Sequence, residues 1–153
     1  MMKQALMILL MVASMASVMG VDADRFDFPM FLKVLAQAES HSRWGAVGDK
    51  HLKNRAYTSY QIRKPYLDEA NRIAKTSYTM EDLITHRVFA RWSIITVVRH
   101  WGARYASETG KPLTMEIATR IHNGGPKGRL ASRKKATDRA WRRFQEAREE
   151  LGL

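Results

Sequence analysis

Glu39-Ser40, Gly48-Asp49, Ala56-Tyr57-Thr58-Ser59-Tyr60-Gln61-Ile62 and, far downstream, Ile121-His122-Asn123-Gly124-Gly125-Pro126-Lys127-Gly128 are the stretches that decide how this 153-residue chain is read. Glu39 closes a short amphipathic segment. Asp27 can cap a helix there, with Pro29 in its opening turn. Met30, Phe31, Val34, Leu35 and Ala38 recur at helical spacing until the pattern fades at Glu39-Ser40. Gly45, Gly48-Asp49 and Asn54 mark turns, and Ala56 to Ile62 reads as a short strand in a small hairpin.

Helical signals return at Pro65, with Leu67, Ala70, Ile73 and Ala74 on one face. Thr79 with Asp82 three residues on resembles a capping box. Val88, Trp92, Ile95, Val98 and Tyr105 form an apolar stripe over several turns, which predicts the central core helix, closed by Gly110 and Pro112. Thr114 opens another helix, carrying Met115, Ala118 and Ile121 and ended by Asn123-Gly124-Gly125. Thr137 is expected to cap a last helix with Ala140, Trp141, Phe144, Ala147 and Leu151 on its apolar side. The predicted fold is mainly α (α+β), a helical domain with one small β-hairpin after the first helix.

The amino terminus reads differently. Lys3 precedes an uncharged apolar stretch that starts at Ala5 and runs to Met19, followed by small residues. That is the plan of a secretory signal peptide. Residues 1–20 are expected to be the signal and 21–153 one domain, with Ala23 as a second candidate cleavage site. The protein is accordingly expected to be exported, periplasmic or extracellular, with no stable membrane span once the signal is gone.

No cysteine is present, which excludes disulfides, thiolate metal sites and a cysteine nucleophile. The five histidines include no HExxH and no ligand-spaced pair, so no metal and no cofactor are expected. The 26 Lys and Arg against 15 Asp and Glu give a formal charge of +11. Such a balance suggests nucleic acid, yet an export signal favours an anionic extracytoplasmic polymer. Arg129, Arg133, Lys134, Lys135, Arg139, Arg142 and Arg143 are equally consistent with a solvated basic face.

Glycoside cleavage needs a carboxylic acid that stays protonated to reach the leaving oxygen. At a helix C-terminus the dipole disfavours a negative charge, and so does partial burial, which makes Glu39 the candidate acid. Gln61 is expected on the strand face opposite Tyr60 and Ile62, where its amide can bond a sugar or orient a water. Asn123 can tolerate a left-handed backbone or offer its amide to an N-acetyl group. Gly124 and Gly125 allow close approach to the backbone. Asp49 is the candidate second carboxylate. An inverting hydrolase would need it about 6.5–9.5 Å from the acid, and the alternative is a side chain that serves its own turn.

Taken in order, Glu39-Ser40, Gly48-Asp49, Ala56-Tyr57, Gln61-Ile62, Tyr78-Thr79-Met80-Glu81-Asp82 and Ile121 to Gly128 resemble the lysozyme-like superfamily, and within it the bacterial and phage transglycosylase SLT domain, related to goose-type lysozymes. The resemblance implies a helical fold around a small hairpin. It also implies a lytic transglycosylase acting on the β-1,4 bond between N-acetylmuramic acid and N-acetylglucosamine, with peptidoglycan glycan strands as partner and no nucleic acid. Glu39 would then be catalytic, acting as acid and afterwards as base. Gln61 and Asn123 would bind substrate, Tyr60 would support the site, and His122 would stand where an aromatic stacks on a sugar. Thr58-Ser59 departs from the pattern, because a glycine is expected before the Gln-Ile pair. The alternatives are a hydrolytic muramidase using water with help from Asp49, and a catalytically impaired wall-binding module of the same fold.

Overall fold

The computed structural model describes residues 26–153, so the predicted signal peptide lies outside the described residues. The chain runs α1 (Phe28–Ser40), β1 (Val47–Gly48), β2 (Ala56–Tyr57), α2 (Lys64–Ala74), α3 (Met80–Thr85), α4 (Arg87–Thr109) and α5 (Met115–Gly124). Two 3-10 turns follow at Gly125–Arg129 and Ala131–Arg133, before α6 (Lys134–Glu150). The fold is mainly helical with one two-stranded antiparallel sheet, as the sequence predicts. No helix among the described residues is long and apolar enough to cross a membrane.

Local signals explain the helix limits. The Asp27 carboxylate accepts from the Met30 N–H at 2.9 Å, satisfying one of the donors left open at the start of α1. At its end, the N–H groups of His41 and Ser42 return to the carbonyls of Gln37 and Ala36. Thr79 and Asp82 form the reciprocal box at α3. Gly110, with φ 68°, ends α4 in the left-handed conformation that glycine adopts without strain.

The expectation fails at the start of α6. Thr137 does not cap that helix; it lies one turn inside and is buried. Its hydroxyl accepts from Arg120 Nη1 at 2.8 Å and donates back to the carbonyl of Arg133 or Lys134. The 3-10 turn at Ala131–Arg133 has already begun the coil, so the helix starts earlier than the polar threonine suggests.

The core gathers Phe31, Val34 and Leu35 of α1, Leu67 and Ala70 of α2, Ile94, Val97 and Val98 of α4, Ala118 and Ile121 of α5, and Phe144 and Ala147 of α6. Phe144 stacks on Phe31 with ring centroids 5.6 Å apart and on Trp141 at 5.7 Å, joining the first helix to the last. Burying side chains of this size contributes about 1.5–3 kcal/mol each. In α4 the buried face differs from the predicted stripe. Val88 is 65% exposed, whereas Ala90, Ile94, Val97 and Val98 are sealed. Because α4 packs against α2, α3 and α5, more than one of its faces meets protein, and a single stripe misplaces the centre of burial.

The turn after α5 is tied down by backbone contact. A Cβ placed on Gly128 would lie 1.9 Å from the Arg120 carbonyl oxygen, so the 3-10 segment rests directly on the α5 backbone. The same segment is anchored by Arg129. Its guanidinium lies 5.0 Å over the Trp101 ring and bonds Glu108 at 3.0 and 3.1 Å. Arg129 and then Arg104 hold the Glu108 carboxyl down, to about 2.

Gly128→Ala should therefore destabilise the protein by about 3 kcal/mol, the upper range for overpacking against immobile backbone, measured by denaturant unfolding. An unchanged midpoint would show that the 3-10 segment can lift away from α5.

Candidate functional site

A cleft of about 680 Å3 opens between the β-hairpin, α2, α5 and α6. Glu39 reaches it from the end of α1, Asp49 and Gln61 from the hairpin region, and His122 and Asn123 from the end of α5. Five of the six residues singled out in the sequence thus share one cavity. Tyr60 does not. Its side chain lines a separate groove on the other side of the hairpin, where its hydroxyl accepts from Arg91 Nε at 3.3 Å.

The cleft is assembled by the turn that follows β2. The predicted strand from Ala56 to Ile62 is only two residues long. Tyr57 and Ile62 then bridge across a tight turn made by Thr58, Ser59, Tyr60 and Gln61. Thr58 has φ 68° and Gln61 φ 52°. A β-branched residue in this region is strained by roughly 1–2 kcal/mol. Thr58 therefore stands where the backbone asks for glycine, as the departure from the sequence pattern indicated. Ser40 holds the turn in place by donating to the Ser59 carbonyl at 3.0 Å, which connects the residue after Glu39 to the residues before Gln61.

Gln61 is turned by this geometry. Its amide nitrogen donates to the Thr58 carbonyl at 2.9 Å, and its carbonyl oxygen lies where a Cβ on Gly48 would fall. Gly48 is thus required for Gln61 to lie across the hairpin. Gln61 borders the cleft, but its N–H closes its own turn rather than projecting from a strand face.

Glu39 is only 10% exposed at its side chain, and Arg143 Nη2 donates to its two oxygens at 3.3 and 3.4 Å. The other two carboxylates of the cleft are held in the same way. Asp49 is paired with Arg63. Glu69 accepts from Arg72 at 2.8 Å and from Trp101 Nε1 at 2.9 Å. Hydrogen bonding to Arg72 is the main cause that lowers the Glu69 pKa; burial opposes it, and Trp101 adds to the lowering. No carboxylate lining this cleft is without an arginine.

His122 is buried rather than presented for stacking. It lies edge-on to the Tyr66 ring, with centroids 5.1 Å apart, and its Nε2 donates to the Tyr60 carbonyl at 3.1 Å. Burial lowers its pKa, aided by the charge of Arg143 and opposed by Glu39 and the bond to Tyr60. The ring is thus neutral near pH 7, and with Nε2 carrying the proton, Nδ1 is an acceptor. Tyr66 is pushed well above the ordinary phenol range by burial, so it keeps its proton.

Sequence reasoning missed Tyr66 and did not separate Arg143 from the basic face. Three buried side-chain polar atoms lack a partner among the described residues: Tyr66 Oη, His122 Nδ1 and Arg143 Nε. All three belong to residues lining this cleft. Buried polar atoms in proteins are nearly always bonded, so three unpaired on residues around one cavity set this part of the molecule apart. Asn123 is exposed and makes no side-chain hydrogen bond among the described residues, and the positive φ, 62°, falls at Gly125, two residues on, rather than at Asn123. No group of three His, Asp or Glu among the described residues is spaced to hold a metal ion.

No family model and no curated protein matches the sequence. In solved structures the chain is similar to a chain of the crystal structure of Aeromonas hydrophila PliI in complex with Meretrix lusoria lysozyme. The TM-score is 0.55 and the identity 23%, over 76% of this chain and 86% of that chain. At that identity the likeness is one of fold.

These findings correct the functional expectation. Membership of the transglycosylase SLT group is not supported. The reading of the chain as a peptidoglycan-cleaving enzyme, lytic transglycosylase or muramidase, is also overturned. The similar structure is a complex of PliI with a lysozyme, and at 23% identity it supports a shared fold and lends no support to a cleaving activity in this chain. The geometry agrees. Glu39 is bonded by the Arg143 guanidinium, and Asp49 is paired with Arg63.

Two outcomes follow. Thr58→Gly should change stability by under about 1 kcal/mol, because relief of left-handed strain offsets the lost side chain. Thr58→Val keeps the strain and removes the oxygen that accepts from the Tyr60 N–H, and should cost about 1–2 kcal/mol in the same unfolding experiment.

The second outcome concerns pH. The folded-state pKa of His122 lies below its unfolded value of 6.5. Its neutral form therefore supports the fold above that pH, and the contribution is lost as pH falls through the folded value. Stability measured from pH 7.5 downward should decline below about 6.5, and His122→Phe, although less stable at neutral pH, should lose that part of the slope.

Proposed function

We propose that this is an exported, cell-wall-associated binding protein whose cleft takes an N-acetylated glycan strand of peptidoglycan without cleaving it. The observation that carries this reading is that three unpartnered buried polar atoms belong to residues lining one cavity. His122 Nδ1 is an acceptor, Arg143 Nε–H is a donor, and the Tyr66 hydroxyl can serve either role. An amide offers the complementary pair, an N–H for His122 and a carbonyl for Arg143 or Tyr66. N-acetyl sugars carry such an amide on every residue. Asn123, exposed at the rim, adds a second amide-reading side chain, and Gln61 shapes the wall beside it.

The cleft itself is balanced in charge, with Arg63, Arg139 and Arg143 against Glu39, Asp49 and Glu69. The formal charge of +11 thus resides outside it. That excess draws the protein to the carboxylate-bearing wall, while the cleft recognises an uncharged group of the same polymer. The apolar stretch after Lys3 supplies the export expectation. A second reading, a protein partner of the lysozyme kind, is favoured by the fold shared with a structure in which PliI is bound to a lysozyme. The neutral, amide-matched cavity favours the glycan.

Co-sedimentation with purified sacculi tests this. Binding is expected to weaken with added salt without vanishing, because the cleft contacts are not purely ionic. Arg143→Gln and Tyr66→Phe should each reduce the salt-resistant part by about tenfold, the scale of one lost buried hydrogen bond to a charged or hydroxyl group. Mass analysis of the supernatant should find no released muropeptides. Release of muropeptides, or binding unaffected by both substitutions, would sink the reading. Tight binding to a lysozyme with none to sacculi would replace it with the second.

A further inference from the structure

A second cavity, of about 600 Å3, lies on the far side of the hairpin from the cleft. Two helices line it with stripes four residues apart. From α1 come Phe28, Leu32 and Ala36, and from α4 come Arg87, Arg91 and Ile95. Trp44 stands at the groove, half-buried, with the Arg87 guanidinium 5.3 Å over its ring. Arg91 is fixed beside it by the Tyr60 hydroxyl, and Lys33 adds a third cation.

The composition is one-sided. No Asp or Glu lines the groove, and Lys33, Arg87 and Arg91 have no ion-pair partner among the described residues. This contrasts with the cleft, where each carboxylate is paired. Three cations that no carboxylate among the described residues neutralises rim an apolar floor that holds Trp and Tyr, the side chains that with Arg supply most binding energy at protein interfaces. A groove between two helices is also the usual seat of an amphipathic segment.

We propose that this groove docks an acidic amphipathic peptide segment of a partner protein. An aliphatic or aromatic anchor of that segment enters beside Trp44, between Leu32 and Ile95. Carboxylates one helical turn apart meet Arg87 and Arg91, whose own spacing is four residues. The segment binds independently of the glycan cleft, because the Thr58–Gln61 turn separates the two cavities, with Ser59 and Tyr60 facing this one and Gln61 the other.

The test is selection from a phage-displayed random peptide library on the purified protein, followed by fluorescence anisotropy with the selected peptides. Enriched sequences should combine Asp or Glu with a bulky apolar residue. Their affinity should fall about tenfold in Arg87→Gln, as expected for an interface arginine, and further in Trp44→Ala. Arg87 is exposed, and the Arg87→Gln protein should melt like the parent, which separates lost binding from lost folding. N-acetylglucosamine oligomers should not displace the peptide. Enrichment of neutral or basic peptides, affinity unchanged in Arg87→Gln, or displacement by the oligomers would overturn the proposal. Pelleting with phosphatidylglycerol vesicles in place of peptide binding would overturn it too, in favour of a membrane surface.

Discussion

The buried guanidinium of Arg120 is the constraint around which the rest of the structure is arranged. It is 3% exposed, and a charge at that depth persists only where its donors are satisfied. Its nitrogens reach Glu116 at 2.9 Å one turn back on α5, and across to the Lys134 carbonyl, the Thr137 hydroxyl and Asp138 at 2.7 to 2.8 Å on α6. These partners admit one relative placement of the two helices. That placement carries His122 and Asn123, just beyond Arg120, to the cleft from one side, and Arg139 and Arg143 to it from the other. The close approach of Gly128 to the Arg120 carbonyl locks the intervening turn against the same point.

Within this frame the carboxylates of the cleft lose their independence. Glycoside cleavage uses one carboxyl free to reach the leaving oxygen and a second group free to act on water or sugar. Here Glu39, Asp49 and Glu69 each face an arginine. What remains unsatisfied is not a carboxylate but a neutral imidazole nitrogen, a phenol and one guanidine N–H. These groups are suited to holding a ligand by directed hydrogen bonds. They are not an acid and a base arranged about a scissile bond.

Much of the helical fold was legible because its punctuation is local. Asp27 before Pro29, the Thr79–Asp82 box and Gly110 act within one turn of the residues they cap, so reading them needs no tertiary information. The errors arose where distant contacts decide. Thr137 looks like a cap but serves Arg120, which lies 17 residues earlier. Val88 looks like core until α4 is seen to be packed on several sides. In the site, Glu39, Asp49, Gln61, His122 and Asn123, widely spaced in sequence, line one cleft. The partner of Glu39 stands 104 residues away in a run of arginines that is indistinguishable by composition. Tyr66 sits next to a helix-opening proline, with nothing in its neighbourhood to mark its hydroxyl as buried.

Thr58 joins the two halves of this account. It was conspicuous in the sequence as a residue standing where glycine was expected, and in the structure it occupies a left-handed conformation that costs most for a β-branched side chain. Backbone strain of that kind persists only where the surroundings impose it. Three contacts do so: Ser40 on the Ser59 carbonyl, His122 on the Tyr60 carbonyl, and Gln61 on the carbonyl of Thr58 itself. The turn they hold is the partition between a cavity whose charges cancel and a groove whose three cations do not. A single strained turn thus separates a charge-balanced surface suited to an uncharged amide from a cationic one suited to a carboxylate.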